Sequence, residues 1–310
     1  MLGLATDDQQ RVAVAQSLGA LGALPSSIDA SEQIVRLANA LWVQQGIALK
    51  PSFTATMRDR FGAPVRGADF ARNPKQAVDA IKAWASAQTN GHIPKVFEQL
   101  DPSTVVVLAN ALYAKLTWLF EANPNATTAR PFTRADATIV QAPTMTLSVP
   151  HGAAETVNGI DMVSIPYRGD YEMVVAATPD PSALAALDRP LTGGFTLTVR
   201  MPRFESRSTF DLLTELRPIL PNTFGSAPDL TGLGLSGVVV DQAVHKAWTK
   251  TDEKGTEGAA VTSIDIAASA PPPKTIVLDK TFTYIVRHRP TGLILFMGRV
   301  DDPNAPAPPG

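Results

Sequence analysis

From Thr104 to Phe120 the chain runs TVVVLANALYAKLTWLF, 17 residues without a glycine or a proline. Alternation describes this run better than a helical period. One parity carries Val106, Leu108, Asn110, Leu112, Ala114, Leu116, Trp118 and Phe120. The other carries Val105, Val107, Ala109, Ala111 and Tyr113 before turning polar at Lys115 and Thr117. A strand that is apolar on both faces has to be covered on both. At about 3.3 Å per residue it reaches roughly 50 Å, far beyond an ordinary strand. The β-branched opening favours a strand, with a helix over part of the run as the alternative.

The other elements fall around it. Thr6 caps a helix through about Leu18, and a second short helix follows Asp29 or Ser31. Arg36 to Gln44 reads as a strand, and Ser52 to Phe61 as a helix stopped by Gly62. Asn73 and Pro74 open a helix with Ala77, Val78, Ile81, Trp84, Ala85 and Gln88 on one stripe, ended at Asn90-Gly91. A second long extended segment spans Gly237 to Lys250. Shorter strands are expected at 162–166, 171–177, 195–201, 275–278, 282–288 and 293–300, and a helix over 211–220 that Pro218 weakens. Helices come early and strands late, which indicates an α+β domain rather than a βαβ repeat. Pro303 to Gly310, with four prolines, reads as a frayed tail behind a single domain over residues 1–302.

Composition removes several chemistries. The 310 residues include no cysteine, so disulfide scaffolds, thiolate catalysis and cysteine metal sites are out. With 27 basic against 29 acidic residues, no charge surplus points to nucleic acid or an anionic membrane. No apolar run has the length of a membrane span, and the N-terminus as written has neither a basic nor an apolar signal region. The four histidines, His92, His151, His245 and His288, lack the spacing of a metal pair. Gly232 to Gly237 matches G-x-G-x-x-G but precedes Val238-Val239-Val240, a strand, where a dinucleotide site needs a helix. No cofactor is expected. Asn125-Ala126-Thr127 is a glycosylation sequon that matters only in a glycosylating secretory pathway.

Between two β-prone stretches lies Glu253 to Pro273, EKGTEGAAVTSIDIAASAPPP. Thr256, Gly258, Ala260, Thr262, Ile264 and Ile266 share one uncharged parity, small at first. Glu257, Ala259, Val261, Ser263 and Asp265 share the other, which carries both charges. Such a segment lies as an exposed loop, or joins a sheet as a strand without burying a charge. Pro271 to Pro273 would terminate that strand.

This segment resembles the hinge and reactive-centre loop of serpins, and the likeness continues along the chain. Ile81, Trp84, Thr89, Asn90, Gly91 and Ile93 are similar to a family signature, with Lys82 in place of the usual Asn. Leu100 to Thr104, Leu108 to Tyr113, Lys115 and Trp118 resemble the long third strand of the family's largest sheet. Tyr167 to Asp170, Met201 to Phe204, Arg287 to Gly292, Leu295 to Val300 and Pro303 match further signatures in order.

The resemblance implies a serpin fold with mixed helices, three β-sheets dominated by a large sheet A, and an exposed reactive-centre loop. It implies a single-use inhibitor whose loop is cleaved by a serine protease and then inserts into sheet A. By register the hinge is Glu253, Gly255, Thr256, Glu257, Gly258, Ala259, Ala260 and Thr262, with Ser269 as P1 and Ala270 as P1′. Counting back from Phe282 makes Ala270 the P1 residue instead; Ser269–Ala270 is preferred because Pro271 at P1′ hinders most proteases. A small, neutral P1 implies an elastase-like or subtilisin-like partner with a shallow S1 pocket, engaged by a monomer. Asn110 and His245 correspond to the family's shutter pair, expected to share a hydrogen bond, and Trp118 to its breach.

Two departures stand out. Gly258 occupies a position where Ala is commoner, which slows insertion modestly. Nothing before Leu37 resembles the family's first helix, its short following strand or its next core helix, so the comparison implies a shortened front. The alternative function is a serpin-fold binding or structural protein that does not inhibit.

Overall fold

The computed structural model describes residues 34–91, 97–183, 187, 189–225, 229–238, 240, 242–256 and 271–305. The helices expected before Ile34, and the expected positions Glu257, Gly258, Ala259, Ala260, Thr262, Ser269 and Ala270, lie outside them.

The described residues form three sheets. The largest is built from β1 (Ile34–Gln44), β2 (Val65–Ala68), β3 (Val106–Thr117), β10 (Phe204–Asp211), β11 (Gln242–Asp252) and β12 (Gly255–Thr256). Its order is β10-β11-β12-β3-β1-β2. A four-stranded sheet joins β13 (Pro273–Val277), β9 (Phe195–Pro202), β5 (Ile139–Gly152) and β4 (Thr128–Thr133) in that order. A five-stranded sheet runs β15 (Leu293–Val300), β14 (Phe282–His288), β8 (Tyr171–Ala176), β7 (Ile160–Pro166) and β6 (Ala154–Val157). Helix α1 spans Pro51–Phe61, α2 Pro74–Gln88, α3 Leu212–Leu216 and α4 Pro221–Phe224.

Strand β3 explains its own composition. On one face Val107 and Ala109, with Ala40 and Trp42 of β1, pack on Val78, Ile81, Trp84 and Ala85 of α2. On the other, Val106 packs with Leu41, Val43, Met57 and Leu213. Farther along that second face, Ala114, Leu116 and Trp118 join the core made by the two smaller sheets. Both faces are covered, as two apolar parities require.

Where local chemistry was plain, elements fall where expected. Gly62 ends α1 at φ 55° with its N–H on Met57 O, a left-handed cap that costs glycine little. Asp211 caps α3 through Leu213 N at 3.0 Å, and the helix stops at Leu216, shorter than the expected 211–220. Pro273 opens β13, two residues ahead of the strand expected at 275–278, and pairs in parallel with Thr196. The missing N–H is harmless there because the proline carbonyls do the pairing: Thr196 N donates to Pro272 O, and its hydroxyl to Pro271 O. Pro303 stands at the start of the expected tail. That residue is buried, and Asp302 caps a turn through Asn304, whose side chain donates to Gln141 O at 2.8 Å.

Candidate functional site: a divided sheet and its hinge

The largest sheet is split along one seam. Strands β3 and β11 pair directly and in parallel over Val107–Ala111 and Gln242–Lys246. Beyond Ala111 and Lys246 they part. At the far end of the opening sits β12, antiparallel to both: Gly255 and Thr256 oppose Thr117 and Leu116 on one side, and Asp252 and Thr251 on the other. Leu112 to Lys115 and Ala247 to Lys250 flank the interval between, and no strand pairs with them across it among the described residues.

A turn at Glu253-Lys254 brings β12 into the seam, and four contacts fix it. Trp118 N donates to Lys254 O at 2.8 Å and Ala122 N to Glu253 O at 2.9 Å. The Trp118 indole donates to Asp252 O at 2.9 Å, and Lys254 N to Asp252 Oδ1 at 2.9 Å. Gly255 takes φ 138°, and a Cβ there would lie 2.1 Å from Leu116 O. Only glycine fits, since both the dihedral and the backbone contact exclude a side chain. A Gly255→Ala variant should therefore lose β12 from the seam. Hydrogen exchange over residues 252–256 should rise to the rate of unprotected amides, and protection equal to wild type would refute the assignment.

The Glu253 carboxylate is buried, its side chain 5% exposed, and faces Arg203 at 2.6 Å. Arg203 Nε donates to both of its oxygens, at 2.7 and 2.9 Å, and the Thr127 hydroxyl donates to Oε1. Burial pushes this carboxyl up, but the hydrogen bonds from Arg203 and Thr127 and the guanidinium charge outweigh it, so it sits below the ordinary carboxylate range.

Thr256 is 2% exposed, and its hydroxyl meets the Tyr167 hydroxyl at 2.8 Å. Tyr167 stacks on Trp118 with centroids 4.2 Å apart and planes 5° from parallel. Burial pushes the Tyr167 phenol far above its usual range, so it stays neutral. Beside it, Thr249 and Tyr284 share a second hydroxyl pair at 2.9 Å.

The structure thus brings Glu253, Gly255, Thr256 and Trp118 into one cluster. Asn110 and His245 lie at the closed part of the seam, directly opposite one another. Their expected hydrogen bond is not formed. Asn110 Nδ2 instead donates to Asn39 Oδ1 at 2.8 Å, and His245 stacks on Phe210. The reason is register: Asn39 opposes Asn110 from the other neighbouring strand and offers an amide oxygen on the same face. Burial lowers the His245 pKa, which favours the neutral ring. Asn39, Thr127, Tyr167 and Arg203 are the partners that sequence reasoning did not supply. Tyr167 and Arg203 stand inside quoted signatures, the one signal that marked them.

These features define an α+β protein whose main sheet is divided along one seam and already holds, at its open end, a strand from the chain's own loop. Comparison with known proteins agrees. The family model described as serpin (serine protease inhibitor) matches residues 1–303, and the chain belongs to the serpin family. Iripin-8 of Ixodes ricinus is 30% identical over 86% of this chain and 72% of its own length. Leukocyte elastase inhibitor of Sus scrofa is 30% identical over 87% of this chain and 78% of its own. Among solved structures, Serpin48 of the insect Tenebrio molitor aligns with a TM-score of 0.78 at 25% identity, covering 96% of this chain and 83% of that one. Thyroxine-binding globulin in complex with thyroxine, at 23% identity, shares the fold with a TM-score of 0.78 over 98% and 84% of the two chains. The family and the inhibitors among its relatives support a protease-inhibitor role.

Proposed function

We propose that this chain is a suicide-type inhibitor of serine endopeptidases with a shallow S1 pocket, elastase-like or subtilisin-like. The protease serine attacks the Ser269 carbonyl, the bond to Ala270 breaks, and Ala270 leaves with a free amine. The loop, held as an acyl-enzyme on Ser269, then inserts along the seam faster than water hydrolyses the ester.

The observation that carries this reading is β12, seated between β3 and β11 with the seam parted ahead of it. Continued at the same register, Gly258 meets Ala114 and Thr249, Ala260 meets Leu112 and Ala247, and Thr262 meets Asn110 and His245. The small parity therefore faces the buried side that Thr256 already faces. Glu257, on the charged parity, falls between Lys115 and Lys250. An inserting strand of this sequence gains two ladders, and its first charge, Glu257, falls beside two lysines.

The test is incubation with pancreatic-type elastase and with subtilisin, followed by denaturing gels and mass spectrometry. A covalent band at the summed mass, with the loop cut at Ser269–Ala270, is the expected result. Clean cleavage without a complex favours the alternative, a serpin-fold protein that does not trap proteases.

A further inference from the structure

Strand β9 lies between β13 and β5, with the end of the loop on one side and a bulge on the other. On the loop side Thr196 holds two prolines: its N–H donates to Pro272 O and its hydroxyl to Pro271 O, both at 3.1 Å. Each proline ring fixes its own φ and keeps the preceding residue extended. By chain length the Ser269–Ala270 bond lies no more than about 7 Å from Pro271. On the other side, β5 pairs Val149 with Leu197 and Gly152 with Phe195, so Pro150 and His151 together face Thr196. A Cβ on Gly152 would collide with the Leu197 side chain, so glycine lets β5 close down on β9 after the bulge. Pro150 has no amide to leave unpaired there.

His151 is exposed and takes φ 56°, a left-handed backbone. Among the described residues its imidazole has no hydrogen-bond partner. The fold makes no use of the ring, since glycine adopts that backbone at no steric cost. With strands about 4.8 Å apart, the bulge runs about 10 Å from the anchored prolines. A protease–inhibitor interface covers about 800 Å² on each partner, a patch roughly 16 Å in radius. A protease seated on the Ser269–Ala270 bond therefore reaches the bulge. Lys274, beside it on β13, is already held by Asp161 at 3.4 Å and the Thr156 hydroxyl at 3.0 Å, over the Phe195 ring. What the bulge and the anchored prolines offer a partner is ring surface rather than an unanswered charge.

We propose that the Pro150–His151 bulge is a second contact surface for the target protease, held by the Thr196 anchor at a fixed offset from the Ser269–Ala270 bond. Its partner is the uncharged protease surface flanking the leaving-group subsites. The contact lengthens the encounter, so more encounters proceed to acylation. This role deepens the inhibitory reading and rests on it.

The test is His151→Gly, which removes the ring at a backbone that suits glycine and should not lower the urea midpoint. The rate of capture by whichever of pancreatic elastase and subtilisin reacts faster with wild type should fall roughly tenfold. Affinity for the same protease with its catalytic serine changed to alanine should fall by a similar factor. The share of captured protease that ends as covalent complex should not change, because that partition follows acylation. A ring that merely supported the fold would move stability or partition instead. The losses should be as large at high salt as at low, as an uncharged contact requires. His151→Asn, another residue that tolerates this backbone, supplies a second ring deletion should the glycine variant fail to fold.

Wild-type capture and affinity in these variants, or a loss that high salt abolishes, overturns the proposal. If wild type is cut but never trapped and the variants are cut correspondingly slower, the contact surface stands and trapping falls. If neither protease cuts the wild-type loop, the inhibitory reading falls and the contact surface with it.

Discussion

Replacing Thr256 with Arg should convert the protein from a trap into a substrate. The site is 2% exposed, bounded by Leu116 and Thr251 across two ladders and by Tyr167 behind. A guanidinium there would be buried among aromatic rings and threonine hydroxyls without a carboxylate, at a cost of several kcal/mol. Since about 1.4 kcal/mol is a factor of ten in rate, insertion should slow by about a hundredfold or more. Hydrolysis of the acyl-enzyme does not depend on insertion and would then win. Gels should show the loop still cleaved, with the covalent band reduced to a trace. Thr256→Ser, which keeps the hydroxyl, should trap like wild type. Survival of the complex in the Arg variant would mean that insertion through this seam is not what holds the protease.

Much of this was legible in the sequence, for identifiable reasons. β3 could be read because burial on both faces writes an apolar pattern in both parities. The hinge was marked by its resemblance to the serpin loop, because the small parity alone suits an exposed loop equally well. What escaped notice were elements whose structure comes from pairing rather than from pattern. β5 spans 14 residues, yet Pro143 and Pro150 interrupt it, and the strand persists because its neighbours on both sides supply the ladder. β10, FESRSTFD, is an edge strand defined by eight register partners in β11, not by an apolar stripe. Its polarity suits an edge and hides it from periodicity.

The site followed the same division. Glycine at 255 and threonine at 256 carry their requirements in their own chemistry. Partnerships do not: Glu253 finds Arg203 fifty positions upstream, and Asn110 finds Asn39 seventy-one positions away. No spacing rule links such residues, because the sheet and not the chain brings them together. The expected Asn110–His245 bond failed on this point. Knowing that two polar residues oppose each other does not say which neighbour wins when a third stands on the other side.

The ion pair at Glu253 predicts the other large effect. Glu253→Gln keeps the shape and the Thr127 contact but removes the charge facing Arg203. Because Arg203 is 44% exposed and can rehydrate, the loss at neutral pH should be modest, about 1–2 kcal/mol in urea unfolding. Glu253→Lys is a harsher change, setting a second cation where a carboxylate now lies 2.6 Å from the guanidinium. The turn cannot keep both charges in place, and about 3–5 kcal/mol of stability should go with the seating of β12. The pH dependence has a definite sign. Glu253 is held below its ordinary value in the folded protein, so its contribution is complete above the unfolded carboxylate range, near 4.3. It disappears as pH falls through the lower folded value, where the carboxylate gains its proton. Wild type and Glu253→Gln should therefore differ at pH 7 and converge on acidification, measured as paired urea midpoints across the acid range. A gap that persists undiminished to pH 2 would show that the charge of Glu253 is not what seats the hinge.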